Sequence, residues 1–176
     1  MNSYKLIIRR EKEEEYENVE NLIREAFWDV YRPGCNEHLV LHHLRKAVSF
    51  IPELDYVSEI DGELVGHIAY SRMFITKEHI MSEQVIAFGP ISVLPKVQKM
   101  GIGKELIKYT MQKASELGYK AVMITGSDQY YPKLGFEKAS DYQVYLPGME
   151  GQEAPFFMVQ ELEKGYLLKN PGIYDF

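Results

Sequence analysis

The stretch from Ile91 to Leu117 constrains the fold more than any other part of the chain. It reads ISVLPKVQKMGIGKEL and continues into an amphipathic run. At 100° per residue, Ile102, Leu106, Ile107, Thr110, Met111, Ala114 and Leu117 fall on one half of a helical wheel, and Lys104, Glu105, Lys108, Gln112, Ser115 and Glu116 on the other. Gly101 and Gly103 stand where a loop becomes this helix, and Gly118 closes it. The first amides of a helix have no intrahelical partner and carry the positive end of its dipole. Without Cβ atoms in the way, a phosphate oxygen can come close to them. The physical reading is a phosphate or diphosphate cradle; the plain alternative is a helix start with two glycines. Two better-known phosphate motifs are excluded by counting. A P-loop needs glycine where Gln98 stands and Ser or Thr where Glu105 stands, and a dinucleotide fingerprint needs glycine at Leu106. What remains is Gln98-x-x-Gly101-x-Gly103.

The flanking sequence supplies the elements. Tyr4–Arg9 reads as a strand. Tyr16, Val19, Leu22, Ile23, Ala26 and Phe27 give Glu13–Trp28 a helical period that Arg32-Pro33-Gly34 ends. Asn36 is placed to cap a second helix reaching about Ala47. Tyr56–Ile60 and Leu64–Phe74 flank Asp61-Gly62, a type I′ hairpin signal. Ile80–Val93 is a long strand-like run broken by Gly89-Pro90, and a proline there predicts a bulge or splay because it cannot donate to a ladder. Ala121–Thr125 is a short buried strand, Asp128–Lys133 a helical turn, and Asp141–Leu146 and Phe156–Gln160 two final strands around a Pro/Gly-rich loop at Gly148–Pro155.

With 176 residues, one domain spanning 1–176 is expected, large enough to fold without a staple. Twenty basic against 26 acidic side chains give −6, the wrong sign for a phosphate-backbone binder, so nucleic acid is not an expected partner. Cys35 is the lone cysteine, which excludes an internal disulfide or a Cys-x-x-Cys site and suits a reducing, cytoplasmic setting. Leu6-Ile7-Ile8 is too short for a signal peptide, and no apolar run approaches the ~20 residues of a membrane span.

At this point the chain resembles a family. Gln98-x-x-Gly101-x-Gly103 after a strand is similar to the acyl-CoA pyrophosphate loop of GNAT N-acetyltransferases. Tyr130-Tyr131-Pro132-Lys133-Leu134-Gly135-Phe136 is similar to that family's aromatic-Tyr-x-x-x-Gly-Phe segment, and Gly89-Pro90-Ile91-Ser92-Val93-Leu94-Pro95 to its fourth strand and bulge. The resemblance covers Phe88–Phe136, and the element order from Tyr4 to Val159 agrees. It implies an α/β (α+β) GNAT fold, with a mixed, mostly antiparallel sheet splayed between strands 4 and 5 and helices on both faces. It further implies that the pantetheine of acetyl-CoA pairs with Ile91, Ser92 and Val93. The pyrophosphate then rests on Gln98, Lys99, Met100, Gly101, Ile102, Gly103 and Lys104 without a metal, and a strand amide stabilises the oxyanion. The implied reaction is direct attack by a primary amine of a small molecule or peptide, through a tetrahedral intermediate. Tyr131 would protonate the leaving thiolate, since a phenol's pKa lies above a thiol's. The same fold without turnover would be an acyl-CoA sensor.

Other positions stay open. Some members use a strand carboxylate as base, where this chain has Ala87 and Phe88. His67, on a strand, is a candidate for the acceptor side, and Glu25 and Asp29 on the first helix are candidates for an amine pocket, with structural or surface roles as the alternative. Tyr130 is expected in the core. His38, His42 and His43 have a helical spacing that suits a metal but lack a third distant ligand. Trp28, Tyr31, Tyr70, Tyr142 and Tyr145 are candidates for an aromatic acceptor pocket. Exposed late strands are a candidate homodimer contact.

Overall fold

The computed structural model describes residues 4–176. The chain packs as two units: the segment up to Tyr70 with Gly89–Gln112, and Ser71–Phe88 with Lys113–Phe176. Strands β3 (Glu63–Ile75) and β4 (Ile80–Val93) and helix α3 (Ile102–Glu116) run through both.

In the first unit, β1 (Leu6–Arg10) pairs antiparallel with β2 (Tyr56–Ile60), and β2 with β3. Asp61 and Gly62 take φ of 51° and 84°, as a type I′ hairpin requires. Leu94 N–H donates to Val65 O at 2.9 Å, which ties the end of β4 to β3. Helix α1 (Tyr16–Phe27) buries Val19, Leu22, Ile23 and Ala26, the three-and-four spacing expected of its apolar stripe. Its first turn differs from the sequence reading: Glu13–Glu15 form a separate 3-10 turn, with Glu15 accepting from Lys12 N–H and paired to Arg9. Its end also comes early. The Asp29 carboxylate accepts from Gly34 N–H at 2.7 Å and Asp29 N–H donates to Gly34 O, so a side chain that competes for backbone partners pulls the chain out of the helix after Phe27. Helix α2 (Glu37–Leu44) stops three residues short of Ala47. On α3, Ile102, Leu106, Ile107 and Thr110 are buried.

In the second unit, β4 runs parallel to β5 (Ala121–Thr125), with register Val85↔Ala121 to Ala87↔Met123. That pairing ends two residues before Gly89-Pro90. Strand β5 pairs antiparallel with β8 (Phe157–Glu161), and β8 with β6 (Glu137–Lys138). Ala87, Met123, Phe157 and Val159 form part of the core. The expected strand at Asp141–Leu146 is instead a 3-10 turn, Ala139–Tyr142, a left-handed Gln143, and two residues of strand, β7 (Val144–Tyr145). Its partner was invisible to periodicity: β9 (Gly172–Asp175), after a one-turn helix α4 (Tyr166–Lys169), pairs parallel with β7 and antiparallel with the end of β3. The sheet is mixed, with the β4–β5 and β7–β9 pairs parallel and β1–β2, β2–β3, β3–β9, β5–β8 and β6–β8 antiparallel.

Candidate active site

The loop from β4 to α3 turns twice through left-handed backbone before the helix starts. A 3-10 turn, Pro95–Val97, leaves β4. Lys99 and Gly101 then adopt φ of 64° and 86°. Glycine meets that left-handed requirement at no steric cost. Glu105 N–H is bonded to Gly101 O at 3.0 Å. The amides of Ile102, Gly103 and Lys104 precede it in the first turn of α3, where no helical carbonyl is available. The loop is anchored at both ends: Gln98 Nε2 donates to Val93 O at 3.0 Å, and Tyr4 Oη donates to Met100 O at 3.2 Å. Lys99 and Lys104 are exposed beside it, and a Cβ at Gly101 would meet nothing within 4 Å. The arrangement fits a diphosphate, held by N–H groups and the positive end of α3.

Beside the loop, the second half of β4 forms one wall of a cleft of about 280 Å³. Ile91, Ser92, Val93 and Gln98 line it on that side, with Ala26, Phe27, Val30 and Tyr31 from the end of α1 and the turn after it opposite. Nine of the ten expected coenzyme-binding positions thus sit on the cleft or the loop surface, and Ile102 is buried as the first apolar anchor of α3.

Tyr131 belongs to the second unit. Its ring packs against Phe88, Tyr130 and Phe136 at centroid distances of 6.0, 5.1 and 5.7 Å. It is 8% exposed, whereas Tyr130 is 42% exposed, so the expectation of Tyr130 in the core is corrected: the turn that begins at Tyr131 directs its ring inward and leaves the preceding one at the surface. Gly126 completes the clamp. A Cβ there would lie 2.4 Å from the Tyr131 ring, so only glycine lets the backbone pass so close. Gly135 is left-handed (φ 96°) and Phe136 is buried.

His67 is corrected as an acceptor contact. It is 0% exposed, and its Nε2 lies 2.7 Å from Asp55 Oδ1 and 3.5 Å from Glu11 Oε2. Arg45 holds Glu11 with contacts of 2.6 and 2.8 Å, reaches Glu20 at 2.9 Å, and stacks its guanidinium 3.8 Å from the Tyr16 ring centroid. Burial by itself pushes the His67 pKa down, but the hydrogen bonds to Asp55 and Glu11 outweigh it and the net shift is upward. Burial raises Glu11. Burial also works to raise Asp55, but its bond to His67 carries it below the usual range. His67 is therefore a buried structural partner of Asp55 and Glu11 with no surface to offer a substrate. Glu11, Asp55 and His67 place three ligand-type atoms within 4.8 Å of one another, but Arg45 and His67 already engage the carboxylates, and a dication would sit beside a guanidinium. Glu11, Arg45 and Asp55 carried no signal in the sequence, because each is an ordinary charged residue far along the chain from His67.

The remaining candidates disperse. Glu25 is exposed on α1, and the Asp29 carboxylate is used in the turn. His38 Nδ1 is 3.6 Å from Cys35 Sγ, and His42 lies between Glu20 and Lys46, so the histidines of α2 do not converge. Burial raises the Cys35 thiol, which disfavours thiolate chemistry. Tyr70 is buried and bonded to Thr110 at 2.8 Å, and Tyr142 is paired with Glu137; of the five aromatic candidates, Tyr31 lines the cleft.

Comparison with known proteins follows this geometry. The model of the acetyltransferase (GNAT) family matches residues 19–136, and the chain belongs to that family. It is 28% identical over 119 residues to the uncharacterized N-acetyltransferase YjhQ of Escherichia coli K12, covering 68% of this chain and 61% of that protein. It is 25% identical over 147 residues to the uncharacterized N-acetyltransferase YhbS of the same organism, covering 82% and 83%. The fold matches the crystal structure of Escherichia coli YhbS in complex with CoA, with a TM-score of 0.85, 24% identity and coverage of 100% and 92%. It also matches a GNAT acetyltransferase of Brucella melitensis in complex with acetyl-CoA, with a TM-score of 0.76, 24% identity and coverage of 99% and 97%.

Proposed function

We propose that the protein is an acetyl-CoA-dependent N-acetyltransferase acting on a primary amine. The observation that carries this reading is the turn from Lys99 to Lys104, left-handed at Lys99 and Gly101, that leads into the first turn of α3 beside a cleft on β4. The family membership and the CoA and acetyl-CoA complexes of similar folds support it.

Each part of the site then has a task. The amides of Gly101–Lys104 and the helix end hold the coenzyme's pyrophosphate, with Lys99 and Lys104 supplying countercharge. The backbone of Ile91–Val93 pairs with the amides of the pantetheine arm, and a β4 N–H faces the thioester oxygen. The amine nitrogen adds to the thioester carbonyl to form the new C–N bond, the C–S bond breaks as the tetrahedral intermediate collapses, the departing thiolate takes a proton from Tyr131, and the proton released by the amine passes to solvent, which returns one to Tyr131. The products are the acetamide and CoA thiol. A fold of this kind does not choose the acceptor: neighbours at TM-scores of 0.62 and 0.59 include a ribosomal-protein-S18-alanine N-acetyltransferase and an N-acetylglutamate synthase.

The test is thiol release from acetyl-CoA across an amine panel, together with calorimetry of CoA. Release with at least one amine is expected. Tight CoA binding with no release for any amine would leave a coenzyme sensor instead.

A further inference from the structure

Away from the coenzyme loop, a glutamate, a histidine and a lysine form a chain across α1 and α2. Lys46 Nζ donates to His42 Nε2 at 2.8 Å, four residues back on α2, and His42 Nδ1 donates to Glu20 Oε1 on α1 at 3.0 Å. The partners fix the tautomer. An ammonium has donors only, so Nε2 offers its lone pair, and a carboxylate only accepts, so the ring proton is on Nδ1. Glu20 is itself held in place, because Arg45 Nη1 reaches the same oxygen at 2.9 Å from a side chain that is 5% exposed. We infer that Lys46 is an acylation site on this protein, an amine nucleophile served by His42 as its base, which takes acyl groups from thioesters.

Carboxylate, imidazole and nucleophile in this order are the parts by which a base activates a weak nucleophile. An amine attacks an acyl carbon only in its neutral form. His42 Nε2 takes one proton from the Lys46 ammonium, and Glu20 steadies the imidazolium that forms. The Lys46 nitrogen then adds to the thioester carbonyl and makes a C–N bond. The C–S bond breaks, a second proton from the nitrogen goes to the departing thiolate, and the imidazolium proton passes to solvent. The products are an acylated Lys46 and a free thiol. Other lysines are held differently. Lys96 and Lys138 meet the carboxylates of Glu63 and Glu153, and a carboxylate partner favours the ammonium form. Lys46 is exposed, so a donor can reach it from solution. Acylation replaces its charge with a neutral amide and removes the donor to His42.

The experiment exposes the full chain briefly to S-phenyl thioacetate, a thioester with neither pyrophosphate nor pantetheine, and reads acetylation lysine by lysine in peptide mass spectrometry. Lys108 and Lys169, both exposed, serve as references in the same molecule. Lys46 should react at least about tenfold faster than either, a modest share of what a placed base contributes. His42→Gln keeps a hydrogen-bond acceptor beside Lys46 but removes the base, and it should bring Lys46 down to the reference rate. His42 is partly exposed, and a variant that unfolded would show all its lysines reacting alike with the unfolded chain, which circular dichroism reads directly. A smaller advantage for Lys46 in the unaltered protein, or one that survives His42→Gln in a folded variant, would overturn the inference. Because this thioester lacks the groups the coenzyme loop would hold, the result stands apart from whether the protein binds acetyl-CoA.

Discussion

Tyr131 shows why a residue's role depends on what holds it. Its ring is wedged between Phe88, Phe136 and the bare backbone of Gly126, so its hydroxyl is delivered by packing. Tyr131→Phe keeps that ring packing and removes the hydroxyl. Turnover should fall by about 100-fold while the CoA dissociation constant stays within about twofold, since proton donation by a placed acid contributes on that order. Steady-state kinetics beside calorimetry reads both numbers, and a variant at full speed would take Tyr131 out of the chemistry. Gly103→Glu tests the loop ahead of α3. A carboxylate among the first amides of α3 should raise the CoA dissociation constant at least about tenfold, or about 1.4 kcal/mol, and unchanged affinity would refute the cradle.

Among the elements, α2 is fixed by charge more than by apolar area. Only Leu41 of its eight residues is buried, while Arg45 at its end reaches Glu11 after β1 and Glu20 on α1. Arg45→Ala removes the two short contacts on the buried Glu11 carboxylate and leaves it only His67, 3.5 Å away. Chemical denaturation should show a loss of about 3–5 kcal/mol, the range for breaking a buried ion pair from one side. The cluster also makes stability depend on pH. His67 is shifted up, so its contribution is complete below its ordinary value of 6.5 and disappears as pH rises through the folded value. Asp55 is shifted down, so its contribution is present above its ordinary 3.8 and is lost as pH falls through the folded value. Glu11, shifted up, adds to the decline on the alkaline side. Melting temperature should therefore peak between these limits, and His67→Gln should flatten its alkaline decline. An identical pH profile in the variant would show that His67 carries no charge.

For the whole molecule, binding of acetyl-CoA should be visible as stability. A ligand at 100 times its dissociation constant adds about 2.7 kcal/mol to the folded state. Thermal melts with acetyl-CoA and with ADP should separate a site for the full coenzyme from a generic phosphate site, because only the former is stabilised more by the longer ligand. The elements near the site were legible for a local reason. The Asp61-Gly62 hairpin, the amphipathic face of α3 and the glycines at its start are each specified by residues within a few positions of one another. The C-terminal strand β9 and the short β7 were not, because Gly172–Asp175 has no alternation and exists only through pairing with β3 and β7.

The sequence by itself determined one half of the candidate site: a strand, a glycine-bearing loop and a helix start follow from steric and hydrogen-bonding rules that act over about fifteen residues. Tertiary structure decided the other half. It turned His67 from a possible substrate contact into a buried partner of Asp55 and Glu11. It exposed Tyr130 and packed Tyr131, and it brought the end of α1 opposite β4 as an uncharged wall. Burial and charge pairing join residues tens of positions apart, and no local pattern encodes which of them will meet.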